Sequence, residues 1–534
     1  CEMCIRDRDI DAAQYAAIAM EMLGRGQWLE VFERGQPYLD KPPLVFWTAA
    51  ASFRLFGVSD WAYKLPSLLA LGVAVWSTGR LAGTLSGDDD TARAARWTLG
   101  ASVAAVLMVA DPRTDTLLMA GVAFATWQGA AWLRGGRVAH LVWCGVGIGI
   151  GMLAKGPMGA VAPCAALGID VVAHRRWRTL ASWRVALLPL VVAVLLAPMC
   201  WGLWREFGAR GLTFYFWTQS FGRVTGSNAW RNDAGPLFFT HTFLWTFLPW
   251  APLVMWRLVR WVGAWRRDEA WWRDDSAAVG GFVLLFLAIS ASRYKLPHYC
   301  YVLLPFAAVL AGRELEALGA AAARRWRVAL VGQAWLLPVV ATGLVVWAFA
   351  PLPVWAGVAL AGAATAVWWV RRATAPWNTL YAAALGLGVG ALVLNAAAAP
   401  RVFAYQTETT AGRLVREAGV PEGCFVAVAH RRPSLDFAAR RIVPELPDVA
   451  ALAVPLAQHP EVWVYLRTTQ ADSAARLAAA ADTVAAFEKF GVSRLNGRFV
   501  NPRTRATTTE AWTLLRLRGT RNEAAASGLR PAAP

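Results

Sequence analysis

Between residues 61 and 398 the chain alternates long apolar runs with short polar joints. The runs lie near 61–83, 95–110, 115–133, 138–154, 157–173, 185–204, 236–256, 277–292, 296–312, 328–348, 351–370 and 376–398. Each is long enough, or nearly so, to cross the ~30 Å hydrocarbon layer of a bilayer as a helix, and the second and fourth are short. Ahead of them, Asp9 to Gly26 has helical spacing, with Tyr15, Ile18, Ala19 and Met22 on one apolar stripe. Leu44 to Phe56 is a second apolar stretch, too short to span once Pro42 and Pro43 are excluded. Both stretches are expected to lie along the membrane surface. After Pro400 the pattern becomes that of a soluble domain: FVAVAH (425–430) and EVWVYL (461–466) read as buried strands, LDFAARR (435–441) and the Ala-rich 469–482 stretch as helices. TVAAFEKFG, GRFVNPR and WTLLRLR read as further strands.

The expected fold class is therefore mostly α: a polytopic membrane helix bundle with interfacial helices and a small C-terminal α/β soluble domain. Residues 1–8 (CEMCIRDR) join no element and read as a non-native or truncated start, with the native start, and one membrane span with it, expected to be missing. Residues 9–60 form a first outer loop, 61–399 a bundle of about twelve spans, 400–520 the α/β domain and 521–534 a disordered tail.

Composition agrees with a membrane protein. The chain has 534 residues, 57% hydrophobic and only 16% charged, with 30 Trp, more apolar surface than an ordinary soluble fold can bury. A net charge of +18 would suit nucleic acid, but much of the Arg is clustered in the joints between apolar runs. Arg93 and Arg96, Arg134 and Arg137, Arg175 to Arg184, Arg257 to Arg273, Arg324 to Arg327, and Arg371 with Arg372 occupy alternate joints. Such joints face the cytoplasm, so nucleic acid is not the expected partner. The opposite set comprises residues 9–60, the 111–115 joint, the 205–235 loop, the 293–295 joint and everything after 400. It is expected to face the periplasm or cell exterior, which places the protein in the inner (plasma) membrane as a multi-pass protein. Cysteines sit mainly inside apolar runs, so no disulfide framework is indicated.

Ionisable groups at membrane depth are costly, which makes each a candidate for function. Asp9 and Asp11 precede the first surface helix and read either as N-caps or as a general base at the water–membrane boundary, with Tyr15 one turn after Asp11. In ADPRTDTLL, Pro112 makes Asp111 a natural cap, whereas Asp115 needs a partner, a metal or a substrate. GQPYLDKPPLVFW raises the sharpest question, because Asp40 and Lys41 stand together before two prolines that stiffen the loop. Lys41 is a compact charge suited to phosphate, or else a snorkelling member of an interfacial ion pair. Arg293, Lys295, His298 and Tyr299 crowd another outward joint, where they bind an anionic headgroup or anchor the chain at the interface. Lys155 lies at a span junction. The 205–235 loop adds Arg223, Asn228 and Arg231, a mixture compatible with a sugar or phosphate, and His241 follows it. No cofactor is assigned; the carboxylates are compatible with a divalent metal whose identity the sequence leaves unknown.

DAAQYAAIAMEML, GQPYLDKPPLVFW, FGVSDWAYKLPS, RTDTLL, KGP and SRYKLPHYCYVLLP, in this order over residues 9–310, resemble the polyprenyl-phosphate-sugar-dependent glycosyltransferases of the GT-C superfamily. The likeness is nearest to the protein O-mannosyltransferase-like family that includes the lipid A aminoarabinose transferases. The resemblance implies an active site open to the outer face, a polyprenyl (undecaprenyl) phosphate-sugar donor, a cell-envelope acceptor such as a lipid A-like glycolipid, polysaccharide or protein, and surrounding membrane lipid. It implies Asp11 and Asp115 as the catalytic carboxylates, with Tyr15 beside the first. It implies Tyr38, Asp40, Lys41 and Tyr299 at the carrier phosphate, where Arg293 and Lys295 also stand. Two departures are visible: NAWRND lacks the family's metal-associated histidine, with Arg231 and Asn232 in its neighbourhood, and the usual Asp-Glu pair is Asp11-Ala12. A lipid transporter or flippase, or a non-catalytic carrier-binding protein, would share the many spans and cations, but no inverted repeat is evident.

Overall fold

The structure is a computed structural model that describes residues 11–219, 222, 232, 234–318, 320–349, isolated positions between 357 and 368, 377–430, 432–491 and 495–519. It divides into two compact units, one of residues 18–398 and one of residues 399 onward together with those up to 17.

The first unit is helical. Helix α1 (Asp11–Arg25) leads into a two-strand hairpin, β1 (Phe32–Glu33) and β2 (Gln36–Pro37), and then α2 (Leu44–Phe56). The stripe expected on α1 is buried in protein, with Tyr15, Ile18, Ala19 and Met22 all at 3% exposure or less. Next come α3 (Asp60–Ser86), α4 (Asp89–Gly100), α5 (Val103–Ala110), α6 (Thr114–Leu133), α7 (Val138–Lys155), α8 (Met158–Ala173) and α9 (Leu187–Phe207). Among the described residues, six helical segments are long and apolar enough to cross a membrane: Asp60–Ser86, Thr114–Leu133, Val138–Lys155, Trp183–Phe207, Arg325–Phe349 and Trp377–Phe403. The other apolar runs are shorter or broken. The run near 95–110 divides where Ser102 caps α5, its Oγ accepting from Ala105 N. That near 236–256 divides into Phe238–Thr246 and Ala251–Arg266 around Pro249, which has no amide hydrogen to continue a helix. The 351–370 run lies largely outside the described residues.

Helix α6 is the centre of this unit: 83% of its apolar window is buried, against 17% for the segment ending in α9. On α9, Leu190, Val194 and Trp201 are more than half exposed, which is favourable only against lipid. Helices α6 and α7 approach at small residues, because a Cβ on Gly121 would stand 2.7 Å from Gly151 N and 2.8 Å from Gly147 O. Such contacts let backbones close together where the hydrophobic effect offers no drive.

Ion pairs staple one end of the bundle. Arg134, just past α6, donates twice to Asp170 of α8 at 3.1 Å, and Arg176 adds a contact at 3.3 Å. Arg257 Nε reaches Asp275 at 2.6 Å and Arg260 reaches Glu314 at 2.9 Å. These carboxylates are fully buried, and the arginines are those that the sequence places in alternate joints. Helix α6 is roughly 30 Å long, so Asp115 in its first turn lies at the opposite end from Arg134.

In the second unit a five-stranded sheet has the order β4-β3-β5-β7-β6, built from β3 (Phe425–Val428), β4 (Glu445–Leu446), β5 (Glu461–Arg467), β6 (Ala480–Lys489) and β7 (Glu510–Arg518). Strands β3, β4 and β5 are parallel, while β7 is antiparallel to β5 and β6. Two expectations differ. The Ala-rich 469–482 stretch is helical only as far as Ala475, a 3-10 turn at Thr468–Gln470 running into Ala471–Ala475, because from Ala480 it pairs with β7 and sheet context overrides alanine's helix propensity. GRFVNPR is a single helical turn at Gly497–Val500, capped by Asn496 Oδ1 on Phe499 N and fixed by Phe499 stacking on Phe490 at 3.9 Å.

Beneath the sheet Glu408 meets His430 Nε2 at 2.9 Å and Lys489 Nζ at 2.5 Å. Burial opposes the Glu408 charge, but the His430 hydrogen bond and Lys489 outweigh it and hold the carboxyl at about 2. Burial lowers His430 against the pull of Glu408.

Two predictions follow from packing and charge. Gly121→Val should lower the thermal midpoint by the equivalent of about 1–3 kcal/mol of overpacking; an unchanged midpoint would contradict the close α6–α7 contact. Acid should loosen the sheet in two stages. Below about 6.5, the ordinary value for His430, the unfolded chain binds a proton that the folded one resists; below 4.5, the Glu408 contribution fades toward pH 2. Protection factors of β3 and β5 amides in the full chain, corrected for the intrinsic pH dependence of exchange, should therefore decline as pH falls, and Glu408→Gln should flatten the lower part of that dependence. Protection factors that do not change with pH would contradict it.

Candidate functional site

At the α6 end opposite the arginine staples, Asp115 is 3% exposed. Its partner comes from the end of α7: Lys155 Nζ lies 2.5 Å from Asp115 Oδ1. Lys155 also sits 4.0 Å from the centre of the Tyr299 ring, while His298 Nε2 is 3.8 Å from Asp115 Oδ2 and packs edge-on against Tyr299. A carboxylate, an ammonium, an imidazole and a phenol thus meet where α6, α7 and the turn Pro297–Leu303 converge. Asp111 does not cap α6, which starts at Thr114 after Arg113. It follows α5 and accepts from Arg113 Nε at 2.8 Å, both side chains being buried. Its Oδ1 has no hydrogen-bond partner among the described residues.

The second cluster is the loop before α2. Asp40 and Lys41 form an ion pair at 2.5 Å, with side chains 31% and 18% exposed. Pro42 and Pro43 are buried and run straight into α2, and Gln219 Nε2 donates to Asp40 O. Lys41 lines an open pocket of about 410 Å³ with Tyr38, Leu39, Glu206, Tyr215 and Gln219 among its walls. Tyr38 packs edge-on against Phe46 of α2 at 5.8 Å. Tyr215 closes the link between the clusters, since its hydroxyl donates to Met152 O at 2.9 Å, one turn before Lys155 on α7.

The RYK joint is tied to the large loop by Asn232, whose Nδ2 donates to Lys295 O at 2.7 Å and whose Oδ1 accepts from Lys295 N at 3.2 Å. Lys295 is 8% exposed and its Nζ donates to Ala234 O at 3.3 Å, while Arg293 is exposed. His241 is exposed and packs on Phe238. Asp11 heads α1 half-buried, and Tyr15 is buried; both belong to the other compact unit. Asp9, Arg223, Asn228 and Arg231 lie outside the described residues. Among the described residues no three His, Cys, Asp or Glu side chains gather as a metal-binding group, and Asn232 spends both amide atoms on Lys295.

Gln219, Arg113 and Glu206 were not singled out by sequence. Gln219 and Arg113 act through a backbone carbonyl and a neighbouring carboxylate, contacts that carry no motif. Pairing Asp115 with Lys155 needs the α6–α7 hairpin, which brings residues 40 apart together.

A family model described as dolichyl-phosphate-mannose-protein mannosyltransferase matches residues 40–204, a stretch that includes Asp40, Lys41, Asp115 and Lys155. The chain is similar to the undecaprenyl phosphate-alpha-4-amino-4-deoxy-L-arabinose arabinosyl transferase of Edwardsiella ictaluri, 28% identical over 332 residues, covering 57% of this chain and 54% of that protein. The protein of the same name from Pseudomonas savastanoi pv. phaseolicola is 28% identical over 335 residues, 60% of this chain and 59% of that one. The chain thus spans little more than half the length of the curated relatives it matches. Among solved structures it is similar to ArnT from Cupriavidus metallidurans bound to undecaprenyl phosphate, with a TM-score of 0.72 at 18% identity over 96% of this chain and 95% of that one. The apo form of that protein gives 0.69 at 20% identity. The chain shares the membrane fold of that protein.

Breaking a buried pair from one side costs about 3–5 kcal/mol, and Lys155, one-fifth exposed, should bring the loss toward the lower end. Asp115→Leu and Lys155→Met should each lower the thermal midpoint, while the two combined should recover much of the loss. Additive losses in the double variant would show that the two do not act as a pair.

Proposed function

We propose that this GT-C-fold membrane protein transfers a sugar from a polyprenyl phosphate carrier, undecaprenyl phosphate in the first instance, to a cell-envelope acceptor at the outer face of the membrane. The observation that carries the reading is Lys41: a cation held by Asp40, braced by two prolines and placed in a pocket beside Tyr38, in a chain folded like a protein solved with undecaprenyl phosphate. The orientation is supported by the arginine staples, which lie at the other end of α6 from Asp115 and mark the cytoplasmic end.

In the proposed reaction the acceptor hydroxyl oxygen attacks the anomeric carbon. The bond from that carbon to the phosphate oxygen breaks, and the carrier phosphate leaves with the bonding pair. Its growing charge is met by Lys41, with Tyr38 and Tyr299 as hydrogen-bond donors and Arg293 at the rim. Stabilising charge where it develops in a water-poor site is the largest lever available to such a catalyst. Asp40 keeps Lys41 aimed through their ion pair. Asp11 takes the acceptor proton as general base, with Tyr15 one turn along the same helix. Asp115 holds Lys155 over the Tyr299 ring, so that a second cation stands behind the phenol that contacts phosphate. Direct displacement inverts the anomeric centre. No step runs through a metal. 4-Amino-4-deoxy-L-arabinose is the first donor sugar to try, because the curated relatives are named for its transfer from undecaprenyl phosphate.

Membranes carrying the full chain should transfer labelled sugar from one of a panel of undecaprenyl-phosphate sugars to envelope acceptors. Asp11→Asn should reduce that transfer by ~10²-fold or more, the usual weight of a general base, while leaving carrier binding intact. Equal transfer by the variant would remove Asp11 from the mechanism; carrier binding without transfer by either would favour a carrier-binding protein.

A further inference from the structure

Glu21 stands in the third turn of α1 with its side chain 7% exposed. Its Oε2 accepts from Arg34 N at 2.7 Å, and its Oε1 accepts from Gly35 N at 2.9 Å and from Arg25 Nε at 2.8 Å. Arg34 and Gly35 are the two residues between β1 and β2, with φ of +53° and +80°, the left-handed backbone that a tight two-residue hairpin turn requires. Successive amides in such a turn converge and make a cradle for an anion. Here the anion is the protein's own carboxylate. Beyond the turn, β2 leads to Tyr38, whose amide donates to Val31 O at 2.8 Å, and three residues later to Lys41. The far side of this loop is fixed by Pro42, Pro43 and Gln219; its near side hangs on Glu21.

We propose that Glu21 is a positioning residue for the carrier-phosphate loop, clamping the 34–35 turn to α1 so that Tyr38 and Lys41 stand at fixed places in the pocket. The inference rests on the reading of Lys41 as the partner of the carrier phosphate. A carboxylate does this better than an amide for two reasons. Its bonds to the backbone amides are charge-assisted, and both of its oxygens accept, whereas glutamine offers one oxygen. The sequence signal was slight: a lone Glu in an apolar helix, AMEML, thirteen residues before the turn it holds.

The test is a double-mutant cycle on undecaprenyl phosphate binding by the full chain in lipid nanodiscs, each variant measured per folded protein. Glu21→Gln should weaken binding about tenfold, and in a Lys41→Ala background the same change should matter less than twofold, because the group it positions is gone. Gly35→Ala, which strains the +80° turn without touching the carboxylate, should reproduce the loss and its dependence on Lys41. An equal loss from Glu21→Gln in both backgrounds would overturn the positioning role while leaving Lys41 as the phosphate partner. Unweakened binding by Lys41→Ala alone would overturn the reading of the loop itself, and this inference with it.

Discussion

A charge inside a helix bundle must be met by another charge, and in this protein that requirement separates the two ends of the membrane unit. At one end Asp170, Asp275 and Glu314, all fully buried, are paired with Arg134, Arg176, Arg257, Arg260 and Arg313. At the other, Asp115 is satisfied by Lys155 from the far end of the next helix. The first set closes on itself through arginines held in several directions and works as a staple. The second brings a single lysine onto the face of a tyrosine and adds a histidine at 3.8 Å, an arrangement with polar capacity beyond what folding needs.

The same contrast orders the first loop. Ion pairing alone would let Asp40 and Lys41 swing at the interface, where exposed pairs contribute little. Two prolines, a glutamine on the Asp40 carbonyl and the Glu21 clamp on the hairpin turn take that freedom away. In the proposed reaction this rigidity would matter, because a cation stabilises a leaving phosphate in proportion to how little it must move as charge develops.

The local features of this arrangement were legible in sequence. YLDKPP announces a stiff loop with a charge pair, alternating arginine joints announce the stapled end, and FVAV and EVWVYL read directly as β3 and β5. Much of what could not be read depends on contacts distant in the chain. Asp115 advertises the need for a partner, but the identity of Lys155 follows only from the close approach of α6 and α7 over Gly121 and Gly147. The Asp111 carboxylate looks like a helix cap because Pro112 follows it, yet it takes Arg113 instead. Ala480 to Lys489 begins with residues that favour a helix, and becomes a strand because β7 offers it a ladder.

In the proposed function the Lys155–Asp115 end of the bundle, with the loop chemistry beside it, faces away from the cytoplasm. Single cysteines placed by Arg293→Cys and Arg178→Cys in a cysteine-free background, both at exposed positions, would be probed with a membrane-impermeant maleimide in right-side-out vesicles. Labelling at 293 with protection at 178 until the membrane is permeabilised is the predicted result. Labelling at 178 with protection at 293 would place the site on the cytoplasmic side and contradict the account.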